Sequence, residues 1–87
     1  MLLILQSCSH FNTVTIDPYK SMSEAELYEE GSVFLANADI PSALKVFETL
    51  EARFPFSTYA QQSILDLAFA YYDFGQKDET IAECDRF

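Results

Sequence analysis

The spacing of apolar and small residues is the feature that most restricts how this chain can fold. From residue 23 onward these residues recur at intervals of about four, three and four, which places them along one face of an α-helix. Only two glycines occur in the chain and no strand pattern is present, so the sequence predicts an all-α fold. The three periodic sets are Leu27, Gly31, Phe34 and Ala38; Ala43, Phe47, Leu50 and Phe54; and Ile64, Ala68, Tyr71 and Phe74.

Start and stop signals divide this periodic region into four helices. Capping residues and prolines favour helix starts, whereas a glycine or a following proline favours a helix end. Four helices with short connections predict an antiparallel helix-turn-helix array. In chain order the signals are a capping box at Ser23 and Glu26, a break at residues 37–39, Pro41, Pro55, a third start near Ser57 or Thr58 with a second box at Thr58 and Gln61, Gly75, and a fourth start at Asp78.

Small residues, aromatic residues and a proline recur in a fixed order along the predicted helices. Small residues let two helices approach closely, aromatic residues fill the space between them, and the proline closes the second helix. The set resembles the tetratricopeptide repeat, and it recurs in degenerate form 37 residues later. This predicts a tetratricopeptide-like solenoid of about one and a half to two repeats in a truncated chain. The repeat positions are Gly31, Phe34, Ala43, Phe47, Pro55, Ala68 and Tyr71.

Residues 1–22 differ from the helical domain that is predicted for residues 23–87. They lack helical periodicity and are interpreted as a truncated lipoprotein signal followed by a flexible tether. The string LLILQSC resembles the lipobox of bacterial lipoproteins, which implies that a lipid is attached to Cys8. No basic residue precedes Cys8 and the apolar run is short, so we expect the true start to lie upstream. The alternative is an apolar leader with a free thiol.

A longer string resembles one family in particular. Residues 53–72 read RFPFSTYAQQSILDLAFAYY, and this string, with the closing DRF, is similar to the first junction between repeats in the BamD (ComL/YfiO) family of outer-membrane protein assembly factors. The resemblance implies an amino-terminal fragment of a lipoprotein that is anchored on the periplasmic face of the outer membrane. It also implies binding to unfolded outer-membrane β-barrel proteins and to sister subunits, the latter mostly through repeats absent here. The alternative is another periplasmic tetratricopeptide scaffold lipoprotein, acting in the cell envelope or in division.

A second stripe on the first and third helices is the candidate binding surface. In tetratricopeptide proteins the first helix of each pair lines a groove, so this stripe predicts a site for an extended apolar or aromatic peptide, for example one that ends in an aromatic residue. Some tetratricopeptide domains hold a carboxylate with Lys and Asn where this chain has Tyr28 and Ser32, which disfavours that mode. The alternative is packing between adjacent repeats. The groove residues are Tyr28, Ser32, Leu35, Leu65, Phe69 and Tyr72.

Charge and the scarcity of reactive groups argue against other functions. The net charge of −9, from 14 Asp and Glu against 5 Lys and Arg, disfavours nucleic acid as a partner. The single histidine, His10, and Cys8 lie in the tether with no third group to orient them, so catalysis is not expected. Cys84 is interpreted as a small core residue. No Cys/His cluster or glycine-rich phosphate loop occurs, so neither a metal nor a cofactor is expected.

Overall fold

The computed structural model describes residues 17–87, so the predicted lipid-attachment site at Cys8 and the histidine at position 10 lie outside the described residues. The described residues form a short 3-10 helix and four α-helices with no strand, which confirms the predicted all-α fold. The helices pack as two pairs, α1 with α2 and α3 with α4, and α3 also contacts α1 and α2. The bounds are Pro18–Ser21 for the 3-10 helix, Glu24–Ala36 for α1, Ile40–Arg53 for α2, Thr58–Asp73 for α3 and Lys77–Arg86 for α4.

The first helix begins and ends at residues whose hydrogen bonds replace the missing helical ones. The Ser23 hydroxyl accepts from the Glu26 amide at 3.1 Å, and the Glu26 carboxylate accepts from the Ser23 amide at 2.8 Å, which confirms the predicted capping box. At the other end Ala38 has a φ of 61°, and the Asp39 amide donates to the Phe34 carbonyl at 2.9 Å. This is a left-handed helix ending, formed here by an alanine.

The third helix ends in the same way but begins one residue earlier than its predicted capping box. Gly75 has a φ of 75°, and the Gln76 amide donates to the Tyr71 carbonyl at 2.8 Å, as predicted for a glycine ending. The box predicted at Thr58 and Gln61 is wrong, because Ser57 is the extended residue and its hydroxyl accepts from the Tyr59 amide. Thr58 is already helical and cannot act as the cap.

The core lies where α1, α2 and α3 meet. Phe47 is fully buried, and a Cβ placed on Gly31 would overlap its ring, so the absence of a side chain at Gly31 allows this contact. Ala43, which precedes Phe47 by about one turn of α2, is also fully buried. Ala68 and Tyr71 are buried in the second pair, whereas Phe34 is half-buried and Pro55 lies exposed after α2. None of the described helices is both long and apolar enough to cross a membrane.

The fourth helix is covered less than the second. In the described structure α2 packs on both α1 and α3, whereas α4 packs mainly on α3. Thr80 and Cys84 occupy the positions that Ala43 and Phe47 hold in the first repeat, yet Cys84 is exposed. The expectation of a core cysteine is therefore wrong, because no described helix covers that face of α4.

The segment before α1 contacts the helical domain. Tyr19 and Met22 are partly buried against the core, although the sequence places them in the tether. The Arg53 guanidinium donates to the carbonyl of Tyr19 at 2.8 Å and to that of Met22 at 2.6 Å, and it also lies over the ring of Phe54. Packing therefore begins before residue 23, at the 3-10 helix.

Candidate peptide-binding cleft

A cleft of about 340 Å³ opens between α1 and α3. Its walls come from the last turns of α1, the start of α2 and the second half of α3, and they are mostly apolar. Such a surface can hold an apolar side chain of a partner while leaving the partner's backbone in solvent. The lining residues are Ser32, Leu35, Ala36, Ile40, Asp66, Phe69, Ala70, Asp73 and Phe74.

Four of the six predicted groove residues lie on one continuous surface at this cleft. Ser32, Leu35 and Phe69 line it directly. Tyr28 lies along a second, shallower depression on α1, which shares Ser32 and Ala36 with the main cleft. The two depressions therefore adjoin along α1.

Tyr28 joins the two helices that form the cleft. Its hydroxyl donates a hydrogen bond to the Asp66 carboxylate on α3. Its ring lies 6.0 Å from the ring centroid of Phe47 and 5.4 Å from that of Tyr59. Burial, followed by the hydrogen bond to Asp66, raises the pKa of Tyr28 above its ordinary value. Because its hydroxyl is hydrogen-bonded and its ring packs on two other rings, the Tyr28 side chain is held in one position beside the cleft.

Leu65 and Tyr72 do not line either depression. Their side chains are 39% and 65% exposed on another face of α3. The two repeats are offset by 37 residues, so Leu65 and Tyr72 of the second repeat correspond to Tyr28 and Leu35 of the first. Tyr28 and Leu35 face α3. No described helix packs on α3 in the way that α3 packs on α1. The exposed stripe of Leu65 and Tyr72 on α3 therefore resembles a surface that packs against another helix. Phe69, 67% exposed, lies at the border of the cleft and of this stripe.

The cleft also contains residues that sequence reasoning missed. Asp66 and Asp73 line it, and they lie three or four residues before and after Phe69 on one face of α3. Their spacing relative to Phe69 is the sequence feature from which both aspartates could have been predicted to line the cleft. Phe74 was expected on the buried face, but it is 50% exposed and lines the cleft. It follows the last helical residue, so its side chain no longer continues the buried face of α3.

The electrostatic character of the cleft is acidic. Two of its nine lining residues are acidic and none is basic. Across residues 17–87 no group of His, Cys, Asp and Glu side chains is arranged to hold a metal ion. The site therefore offers apolar contact and carboxylate oxygens.

Three similar proteins from different bacteria share one name with each other. The outer membrane protein assembly factor BamD of Neisseria meningitidis serogroup B is 41% identical to this chain over 98% of the chain and 33% of that protein. The factor of the same name from Vibrio cholerae serotype O1 is 31% identical over 99% of the chain and 34% of that protein. The one from Pasteurella multocida is 36% identical over 74% of the chain and 25% of that protein.

The chain thus spans about a third of the length of the first two of these curated relatives. No solved structure matches it. Residues 20–87 match the YfiO family, described as an outer membrane lipoprotein, and this range includes all four helices and the whole cleft. The chain belongs to the YfiO family of outer membrane lipoproteins.

Proposed function

We propose that this chain is the amino-terminal repeat module of an outer-membrane protein assembly factor, and that its cleft binds unfolded segments of outer-membrane β-barrel proteins. The observation that carries the proposal is an open apolar cleft in a chain that is 41% identical to such an assembly factor over nearly its whole length. The role is binding, without catalysis.

The chemistry of β-barrel segments suits this surface. Their strands alternate apolar and polar residues and carry aromatic residues at the membrane interfaces. Before insertion, the apolar side chains need a partner that shields them from water. The cleft between α1 and α3 and the adjoining depression on α1 can take side chains from alternate positions of one extended segment.

We base the proposed location and the further partners of this protein on its family. We place the protein on the periplasmic face of the outer membrane, held by a lipid at Cys8. Sister subunits of the assembly machinery are further proposed partners, mostly through the parts of the longer relatives that this chain does not cover. Nucleic acid is not a proposed partner, since the net charge is −9.

The test uses Phe69 as the exposed aromatic residue of the cleft. Phe69→Ala should weaken binding of a fluorescent peptide copied from a β-barrel strand by about 5- to 30-fold, equivalent to roughly 1–2 kcal/mol. Fluorescence anisotropy with the 87-residue chain measures this, and circular dichroism checks that the variant is folded. Phe87→Ala is the matched control, because Phe87 is 61% exposed and lies outside the cleft. Equal affinities for Phe69→Ala, Phe87→Ala and the parent would contradict the proposal.

A scaffold role is the second candidate, and the exposed stripe of Leu65 and Tyr72 favours it. If this stripe only packs another helix, Tyr72→Ala should leave peptide affinity unchanged. If Tyr72→Ala weakens the peptide as much as Phe69→Ala does, the stripe belongs to the groove.

A further inference from the structure

Two carboxylates line the cleft, and within residues 17–87 neither of them forms an ion pair. Asp66 and Asp73 line it two helical turns apart on α3, about 10 Å along the axis. Asp66 accepts hydrogen bonds from Tyr28 and Gln62, which hold its carboxylate in place. Among the described residues, the Asp73 carboxylate makes no hydrogen bond or ion pair, and it is exposed at the edge of the cleft.

Two helix ends add to this charge. Ala36 is the last residue of α1 and Asp73 is the last residue of α3, and both line the cleft. The carboxyl end of a helix carries partial negative charge and is stabilised by basic residues. Neither helix has a basic residue in its last turn. An acidic residue at the end of α3 opposes the helix dipole, so a cation from a partner would be favourable there.

The apolar walls of the cleft also suit a ligand that carries a cation. Lysine and arginine have long apolar stems that lie along apolar surface while the charged group stays near water or a carboxylate. Phe69 and Phe74 also present aromatic rings, which attract cations. A free terminal carboxylate would instead meet Asp66 or Asp73 and be repelled.

From this charge arrangement we infer that the cleft selects internal apolar segments that carry a lysine or arginine beside the anchoring side chain. This inference rests on the proposed peptide-binding function and specifies its ligand. It also differs from the expectation of a peptide that ends in an aromatic residue, because such an end carries a carboxylate.

The test compares amidated peptides of one strand-like sequence that carry Lys, Gln or Glu beside a single aromatic anchor. We expect affinity for the 87-residue chain to fall in that order, by about 2- to 5-fold at each step in low salt. A free carboxylate placed directly after the anchor should weaken binding by a similar factor. At about 1 M salt, where the screening length is about 3 Å, the differences should largely disappear.

Asp73→Asn should remove the preference for Lys and leave the affinity of the Gln peptide unchanged. The matched control is Asp85→Asn, an exposed acid in the last turn of α4 that lies outside the cleft. Equal affinities for the Lys and Glu peptides in low salt, with Phe69→Ala still weakening both, would overturn the charge selectivity and leave the peptide cleft intact. If no peptide binds, both proposals fail.

Discussion

Tyr28 is the residue at which the core and the cleft meet. Its ring contacts the buried Phe47, and its hydroxyl reaches Asp66 on the neighbouring repeat. The side chain therefore couples the packing of α1 on α2 to the position of α3. A polar atom placed at such a boundary must keep its hydrogen bond, because an unpaired hydroxyl or carboxylate in a partly buried position is costly.

The raised pKa of Tyr28 predicts a dependence of stability on alkaline pH. Burial and Asp66 favour the protonated phenol in the folded state, so the folded pKa lies above the unfolded value of about 10. This contribution is fully present below pH 10 and is lost as pH rises through the folded pKa. The free energy of unfolding should therefore fall above pH 10, and Tyr28→Phe should make that fall shallower. Urea denaturation at pH 8 and at higher pH measures it.

Tyr72→Phe is the control for this prediction, because Tyr72 is exposed and its hydroxyl makes no hydrogen bond among the described residues. A fall in stability that is as steep in Tyr28→Phe as in Tyr72→Phe would show that Tyr28 does not contribute.

At the scale of the helices, the sequence predicted most starts and ends because local chemistry determines them. Ser23 and Glu26 form their box within one turn, and Gly75 reaches a positive φ without strain. The start of α3 was expected near Ser57 or Thr58, but the capping box was assigned to Thr58, which offers the same chemistry one residue after the actual cap. Sequence alone cannot decide which of two adjacent hydroxyls stays in the extended conformation.

The candidate cleft was predicted only in part. Ser32, Leu35 and Phe69 follow from which face of a helix lines the groove. Leu65 and Tyr72 are on the same sequence stripe but face away, because the cleft lies between two helices whose relative rotation is a tertiary property. Periodicity fixes faces within a helix, and it does not fix how two helices meet.

Ala38 carries a conformational cost that a glycine would remove. An alanine in the left-handed region costs roughly 1–2 kcal/mol, whereas glycine adopts it freely but loses about 0.5–1 kcal/mol of backbone entropy on folding. Ala38→Gly should therefore raise the free energy of unfolding by about 0.5–1 kcal/mol, as measured by urea denaturation. Ala82→Gly, an exposed site inside α4, should lower it by about 1 kcal/mol. A loss of stability in Ala38→Gly would show that this turn does not strain the alanine.

At the scale of the whole molecule, stability is concentrated in the first three helices. They contain most of the fully buried large side chains, whereas α4 is joined to the rest by packing on α3 and by Arg86. The Arg86 guanidinium pairs with Glu51 on α2 at 2.8 Å and with Glu83 at 2.9 Å. These hydrogen bonds raise the pKa of Arg86, which keeps its charge.

Phe47→Ala should destabilise the whole domain, because it removes the largest fully buried side chain from the contact of α1 with α2. We expect a loss of about 3–5 kcal/mol, which is much of the stability available to a small domain. Thermal melting followed by circular dichroism measures it. Phe56→Ala, at a residue that is 92% exposed, should change stability by less than about 0.5 kcal/mol. Identical melting of Phe47→Ala and the parent would contradict the observed helix pairing.

The clasp of Arg53 on the segment before α1 has a mechanical consequence. The guanidinium binds the carbonyl oxygens of Tyr19 and Met22, so this part of the attachment depends on the backbone, and the partly buried side chains of the same two residues add packing to it. A pull on the chain ahead of Asp17 reaches this clasp before it reaches the first turn of α1. Because Arg53 is the last residue of α2, part of such a load would be carried by α2 as well as by α1.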